Sequence, residues 1–235
     1  MAGRILIVTL AAVTGCGRLG FEAGSLDGNP RDTEMPDVAL CPVVDEHFDS
    51  TLGSTWATYY SGGGSAPTVT NGALVLDVPT TVSTSSVGML TIDLRDAVIT
   101  VTARNYTFEY GSQVYLEITA PNRYFAINAL PDIASQGFIV ARIQTTAGFD
   151  DVSLPMPKVA AMRLRIATAP VSGGTLVVWS YATSETTPFI EARRQTVTDS
   201  FSAADFGAAY QVWSPAAADP PPVEIDDFQL AHPCM

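Results

Sequence analysis

The residues of this 235-residue chain best able to do chemistry are phenols, carboxylates and guanidiniums placed two apart on candidate strands. Val114, Leu116 and Ile118 alternate with Tyr115, Glu117 and Thr119, and Phe125 and Ile127 alternate with Tyr124, Ala126 and Asn128. Met162, Leu164 and Ile166 alternate with Arg163 and Arg165. Such alternation puts the apolar set on one face of a strand and the rest opposite. Tyr115, Glu117, Tyr124, Asn128, Arg163 and Arg165 are therefore expected on a polar surface, joined by Trp179 and Tyr181 from a strand whose facing is open. Aromatic rings beside hydrogen-bonding groups suit a sugar, which offers an apolar ring face and hydroxyl edges. Strand propensity alone also favours tyrosine, and Trp179 would fit a core.

Other chemistries are poorly supplied. The chain has no Gly-x-Ser-x-Gly elbow, no His-Glu-x-x-His helix, no phosphate-cradling loop and no dinucleotide fingerprint. His47 and His232 are too few and too isolated for a zinc site. Gly62, Gly63 and Gly64 are followed by neither a lysine nor a helix signal and read as a hairpin tip. Twelve basic against 24 acidic residues, a net charge of −12, argue against a nucleic-acid partner.

The N-terminus states an address. Arg4 precedes an apolar run from Ile5 to Val13, and small residues lead to Cys16. This is the charged start, short apolar centre and small-residue exit of an export signal, and it is too short to span a bilayer. Val13-Thr14-Gly15-Cys16 resembles the lipobox of bacterial lipoproteins. The resemblance implies cleavage before Cys16, a diacylglyceryl group on its sulfur and often acylation of the new amino group. Two or three acyl chains would anchor the protein stably to a lipid bilayer. Gly17, where enteric sorting disfavours aspartate, points to the outer membrane of the cell envelope. An ordinary secretory signal ending near a cysteine is the alternative. Residues 1–15 are thus read as signal peptide, 16–40 as a lipidated tether too poor in apolar residues to order itself, and 41–235 as the folded domain.

Short alternating segments dominate the domain. Leu74, Leu76 and Val78 follow the turn signal Asn71-Gly72, while Ile92 to Ala103, Phe138 to Ile143 and Leu176 to Tyr181 are further strand candidates. Ser202 to Tyr210 could form a short helical turn. The expected class is an all-β antiparallel sandwich. Cys41 and Cys234, at its two edges, read as one disulfide outside the cytoplasm, with free thiols or a partner-linked cysteine as the alternative.

Phe48-Asp49 with Trp56, then Asn71-Gly72-Ala73-Leu74-Val75-Leu76, resemble the opening of concanavalin A-like (lectin/glucanase-type) jelly rolls. Leu164-Arg165-Ile166, Val178-Trp179-Ser180-Tyr181 and Val223 to Leu230 resemble later strands of that fold. The resemblance implies a concave sheet suited to polysaccharide and a structural calcium where first and last strands meet. Asp45, Glu46 and Asp49, with Asp226 and Asp227, would supply its oxygen ligands. Glu224-Ile225-Asp226-Asp227 is similar in part to the catalytic strand of laminarinase-type glycosidases, but it stands at the last strand and lacks the third carboxylate. The expectation is a non-catalytic module binding carbohydrate or another envelope component. A structural or protein-interaction module with no glycan ligand is the runner-up, and a glycosidase using Glu117 or Glu224 stands behind both.

Overall fold

The computed structural model describes residues 40–49, 51–79, 82–108, 111–131, 136–213 and 220–234. The lipidation site expected at Cys16, with the signal and nearly all of the tether, lies outside them. Val38–Met235 forms one compact unit.

Fifteen strands follow one another: β1 Leu40–Glu46, β2 Ala57–Ser61, β3 Thr68–Thr70, β4 Ala73–Leu76, β5 Ser83–Ile92, β6 Ala97–Arg104, β7 Ser112–Ala120, β8 Arg123–Pro131, β9 Gly137–Thr145, β10 Gly148–Met156, β11 Ala161–Val171, β12 Gly174–Ala182, β13 Ile190–Val197, β14 Ala204–Val212 and β15 Val223–Pro233. Sheet A runs β13-β12-β11-β6-β15-β4-β3, with β1 also pairing β15; sheet B runs β10-β9-β8-β7-β14-β5-β2. Every pairing is antiparallel. The expected all-β sandwich is what the chain forms.

The alternation works as the physics of a half-buried strand requires. Val114, Leu116 and Ile118 of β7 and Phe125 and Ile127 of β8 enter the core from sheet B, against Met162, Leu164 and Ile166 from sheet A. Phe228 meets Trp56 edge-on with ring centroids 5.0 Å apart and Phe206 at 5.4 Å, so aromatic residues of the early and late chain share one cluster. The Cys41–Cys234 disulfide closes the end of the β1–β15 pair across 193 residues of sequence.

Two local readings need correction. Ser202 to Tyr210 is not a helical turn: Ala204 onward is the inner strand β14, whose Gly207 and Ala209 let neighbouring strands come close. Ile92 to Ala103 is not one strand, because the turn at Asp93 to Asp96 divides β5 from β6. Asp93 stabilises that turn by accepting from the Arg95 N–H at 3.1 Å.

Candidate functional site

The outward face of sheet B gathers Tyr115, Glu117, Tyr124 and Asn128. Register across the sheet puts Glu117 opposite Gly207 on one side and Ala126 on the other. Gly207 in turn faces Gly88, Gly88 faces Ala57, and Ala126 faces Arg142. Small residues therefore flank Glu117 in a furrow running across the strands. One bank carries Tyr59, Ser86, Ala209, Tyr115 and Asn128; the other carries Asp205, Thr119, Tyr124, Gln144 and Phe149. The glycines are required. A Cβ on Gly207 would stand 2.6 Å from the Val87 carbonyl oxygen, and one on Gly88 would strike the Phe206 carbonyl.

Glu117 is half-buried at the centre of this furrow, with Tyr115 9% and Asn128 2% exposed beside it. Burial pushes its carboxyl up to about 7; a hydrogen bond from Tyr124 works against the rise, and the Asp205 charge adds to it. Burial and the Glu117 charge also hold the Tyr115 and Tyr124 phenols well above their ordinary range, so both stay protonated donors. Asp205 is fixed by the Thr91 N–H at 2.8 Å. Thr91 has a φ of 58°, a left-handed conformation that a β-branched residue adopts only under constraint. Beyond Ala126, Arg142 is held by both Asp151 oxygens at 2.9 and 2.8 Å and lies 4.2 Å over the Phe149 ring. The arrangement offers phenol and amide hydrogen bonds, a carboxyl that changes charge near neutrality, and aromatic edges.

The other expected site residues lie elsewhere. Arg163 and Arg165 are on the outward face of sheet A, across the sandwich, because their partners Leu164 and Ile166 fill the core from that sheet. Trp179 and Tyr181 face inward opposite Ile166 and Leu164 and are core, 0% and 6% exposed. The eight residues do not share one surface. Glu224 is also on sheet A, paired in register with Arg104. A bulge between Ile225 and Phe228 turns both of those residues inward and leaves Asp226 and Asp227 outside, so the simple alternation expected here fails.

The acids expected to cage calcium are spent on other partners. Asp226 pairs with Arg104 at 2.8 Å and Asp227 accepts from His47 at 2.7 Å. Asp45 accepts from Gln229 at 3.1 Å, and Glu46 caps the Phe48 N–H at 2.9 Å. Among the described residues no group of three or more metal-binding side chains forms. Asp205, Arg142 and the Gly88–Gly207 pair were not singled out from sequence. Arg142 could have been, since it alternates with Ala141 and Ile143 on a recognised strand candidate; Asp205 could not, hidden in the small-residue run read as a turn.

No protein-family model and no curated protein matches the sequence. Solved structures do. The catalytic domain of an endo-1,3-beta-glucanase (laminarinase) from Thermotoga petrophila superposes with a TM-score of 0.63 at 11% identity, covering 84% of this chain and 100% of that one. The Emp47p carbohydrate recognition domain gives 0.56 at 11% identity over 81% of this chain and 94% of its own. GH43B from the Bacteroides ovatus xyloglucan PUL gives 0.64 at 15% identity over 80% of this chain, which spans only 38% of that protein. The chain has the concanavalin A-like lectin/glucanase β-sandwich fold.

Proposed function

We propose that this chain is an exported lipoprotein, held in the outer membrane through acylated Cys16, whose sandwich binds carbohydrate on the outward face of sheet B without cleaving it. The observation that carries the reading is the furrow itself. A carboxyl sits between two tyrosines on a floor of glycine and alanine, giving room for a sugar ring, donors for its hydroxyls and aromatic edges for its apolar face. A mixed set of hydrolases and a carbohydrate recognition domain on the same fold is consistent with this, but a shared fold does not transfer an activity. A glycan array probed with the purified full-length chain tests it, and silence across neutral, amino and acidic glycans would remove it.

A second reading has one observation in its favour. Glu117, with its carboxyl near 7, has Asp205 on the adjacent strand, and diagonal neighbours on one sheet face lie about 7–8 Å apart at Cα. A half-protonated acid beside a carboxylate is what hydrolytic general acid catalysis needs. Release of reducing sugar from an array-positive glycan, abolished by Glu117→Gln and by Asp205→Asn, would favour hydrolysis over binding. The anchor is tested separately: labelled palmitate should enter the wild-type chain and not Cys16→Ser.

A further inference from the structure

The outward face of sheet A holds a small hollow of about 140 Å³ that the furrow on the opposite sheet does not explain. Thr100 and Thr102 of β6 form its floor, Arg163 of β11 one wall, and Glu185, Asp227 and Gln229 the others. Thr102 is 3% exposed, yet its hydroxyl has no hydrogen-bond partner among the described residues. A buried hydroxyl without a partner costs stability, so its persistence at the floor of a hollow points to a ligand.

The walls are pre-arranged. Arg163 is stacked on Phe189 with 4.5 Å between guanidinium and ring, and it donates to the Ser184 and Thr187 carbonyls through Nε and Nη2, leaving Nη1 unclaimed. Glu185 receives Arg104 on Oε1, Asp227 receives His47 on Oδ1, and Gln229 donates its amide nitrogen to Asp45. Each of the three therefore keeps one oxygen free. Three donors meet three acceptors across a space a few ångströms wide, and the charges of Arg163 and Arg104 offset those of Asp227 and Glu185. Anions and cations gain nothing from such a balance; a ring of hydroxyls, each able to donate and accept, matches it.

We propose that this hollow is a second binding site, independent of the sheet B furrow, that takes one uncharged pyranose unit. The test is an amide-resolved NMR titration of the full-length chain with methyl glucoside, methyl galactoside and methyl mannoside, with methyl glucuronide as the charged control. At least one neutral glycoside should shift the amides of Thr100, Thr102 and Gln229 with a Kd of about 1 mM, as expected for a single small ring. Thr102→Val should weaken that binding about tenfold. Gln229→Leu, at an exposed position that the fold does not need, should do the same. Both should leave polysaccharide binding by the furrow unchanged. Silence of these amides with every neutral glycoside, a response to the glucuronide alone, or wild-type affinity in Gln229→Leu would overturn the proposal. Loss of polysaccharide binding in Tyr115→Ala with these shifts intact would leave this site standing.

Discussion

Glu117 should make the protein less stable at neutral pH than in mild acid, and Glu117→Gln should abolish that loss. The carboxyl rises from an ordinary value of 4.5 to about 7 on folding, chiefly through burial. The native state therefore binds the proton more tightly than the unfolded chain. The associated stability is fully present below 4.5, declines as pH rises from 4.5 to about 7, and is gone above that. The interval corresponds to about 3 kcal/mol. Gln keeps the shape and can still accept from Tyr124, but it has no charge to desolvate. Guanidinium unfolding of both proteins with the disulfide intact, from pH 4 to pH 8, measures the difference directly. Stabilities should agree near pH 4 and diverge with rising pH, Glu117→Gln ending more stable by about 3 kcal/mol, or about 6–12 °C in Tm for a domain of this size. Parallel pH profiles for the two proteins, or a Glu117 carboxyl carbon that titrates below pH 5, would show the burial explanation to be wrong. A group that costs this much where glutamine would not is retained for something other than folding.

Three further expectations concern the furrow's floor and the frame around it. Gly207→Ala should destabilise the domain by about 1–3 kcal/mol, because its Cβ has only the Val87 carbonyl to meet, and chemical denaturation would show it. Reducing the disulfide, or Cys41→Ser with Cys234→Ser, should lower stability by roughly 5 kcal/mol on the chain-entropy account of so long a loop, read as a shift in the denaturation midpoint. Arg193 ties the two sheets at their open edge, bonding the carboxylate and carbonyl of Asp150 on β10 while lying 5.3 Å over the Trp179 ring. Arg193→Met should raise hydrogen exchange in β10 and β13 selectively, since the hydrogen bonds to Asp150 join those two strands.

How far the sequence could be read depended on what each strand buries. β7 and β11 alternate cleanly because each has one face in the core and one outside, so Tyr115 and Glu117, or Arg163 and Arg165, were correctly placed opposite the apolar set. Period two tells which residues share a face of a strand, but not which of two sheets the strand joins. Arg163 and Tyr115 consequently looked like neighbours when they stand on opposite sides of the sandwich. β12 is buried on both faces, Val178 and Ser180 as well as Trp179 and Tyr181, and so carried no facing signal at all. The furrow was illegible for a related reason: it is a row across seven strands, and its glycines and alanines acquire meaning only when register sets them beside Glu117. The bulge that separates Ile225 from Phe228 likewise depends on pairing with β6 and left no mark in the local sequence.

The functional proposal stands or falls on Tyr115, Glu117 and Tyr124 forming a sugar-binding furrow on sheet B. The decisive experiment is calorimetric titration of the strongest array glycan into the wild-type chain and into Tyr124→Ala. At least a tenfold loss of affinity, about 1.4 kcal/mol or more, is expected in the variant. Equal affinity in the two proteins, with the variant folded, would rule the furrow out as the binding site.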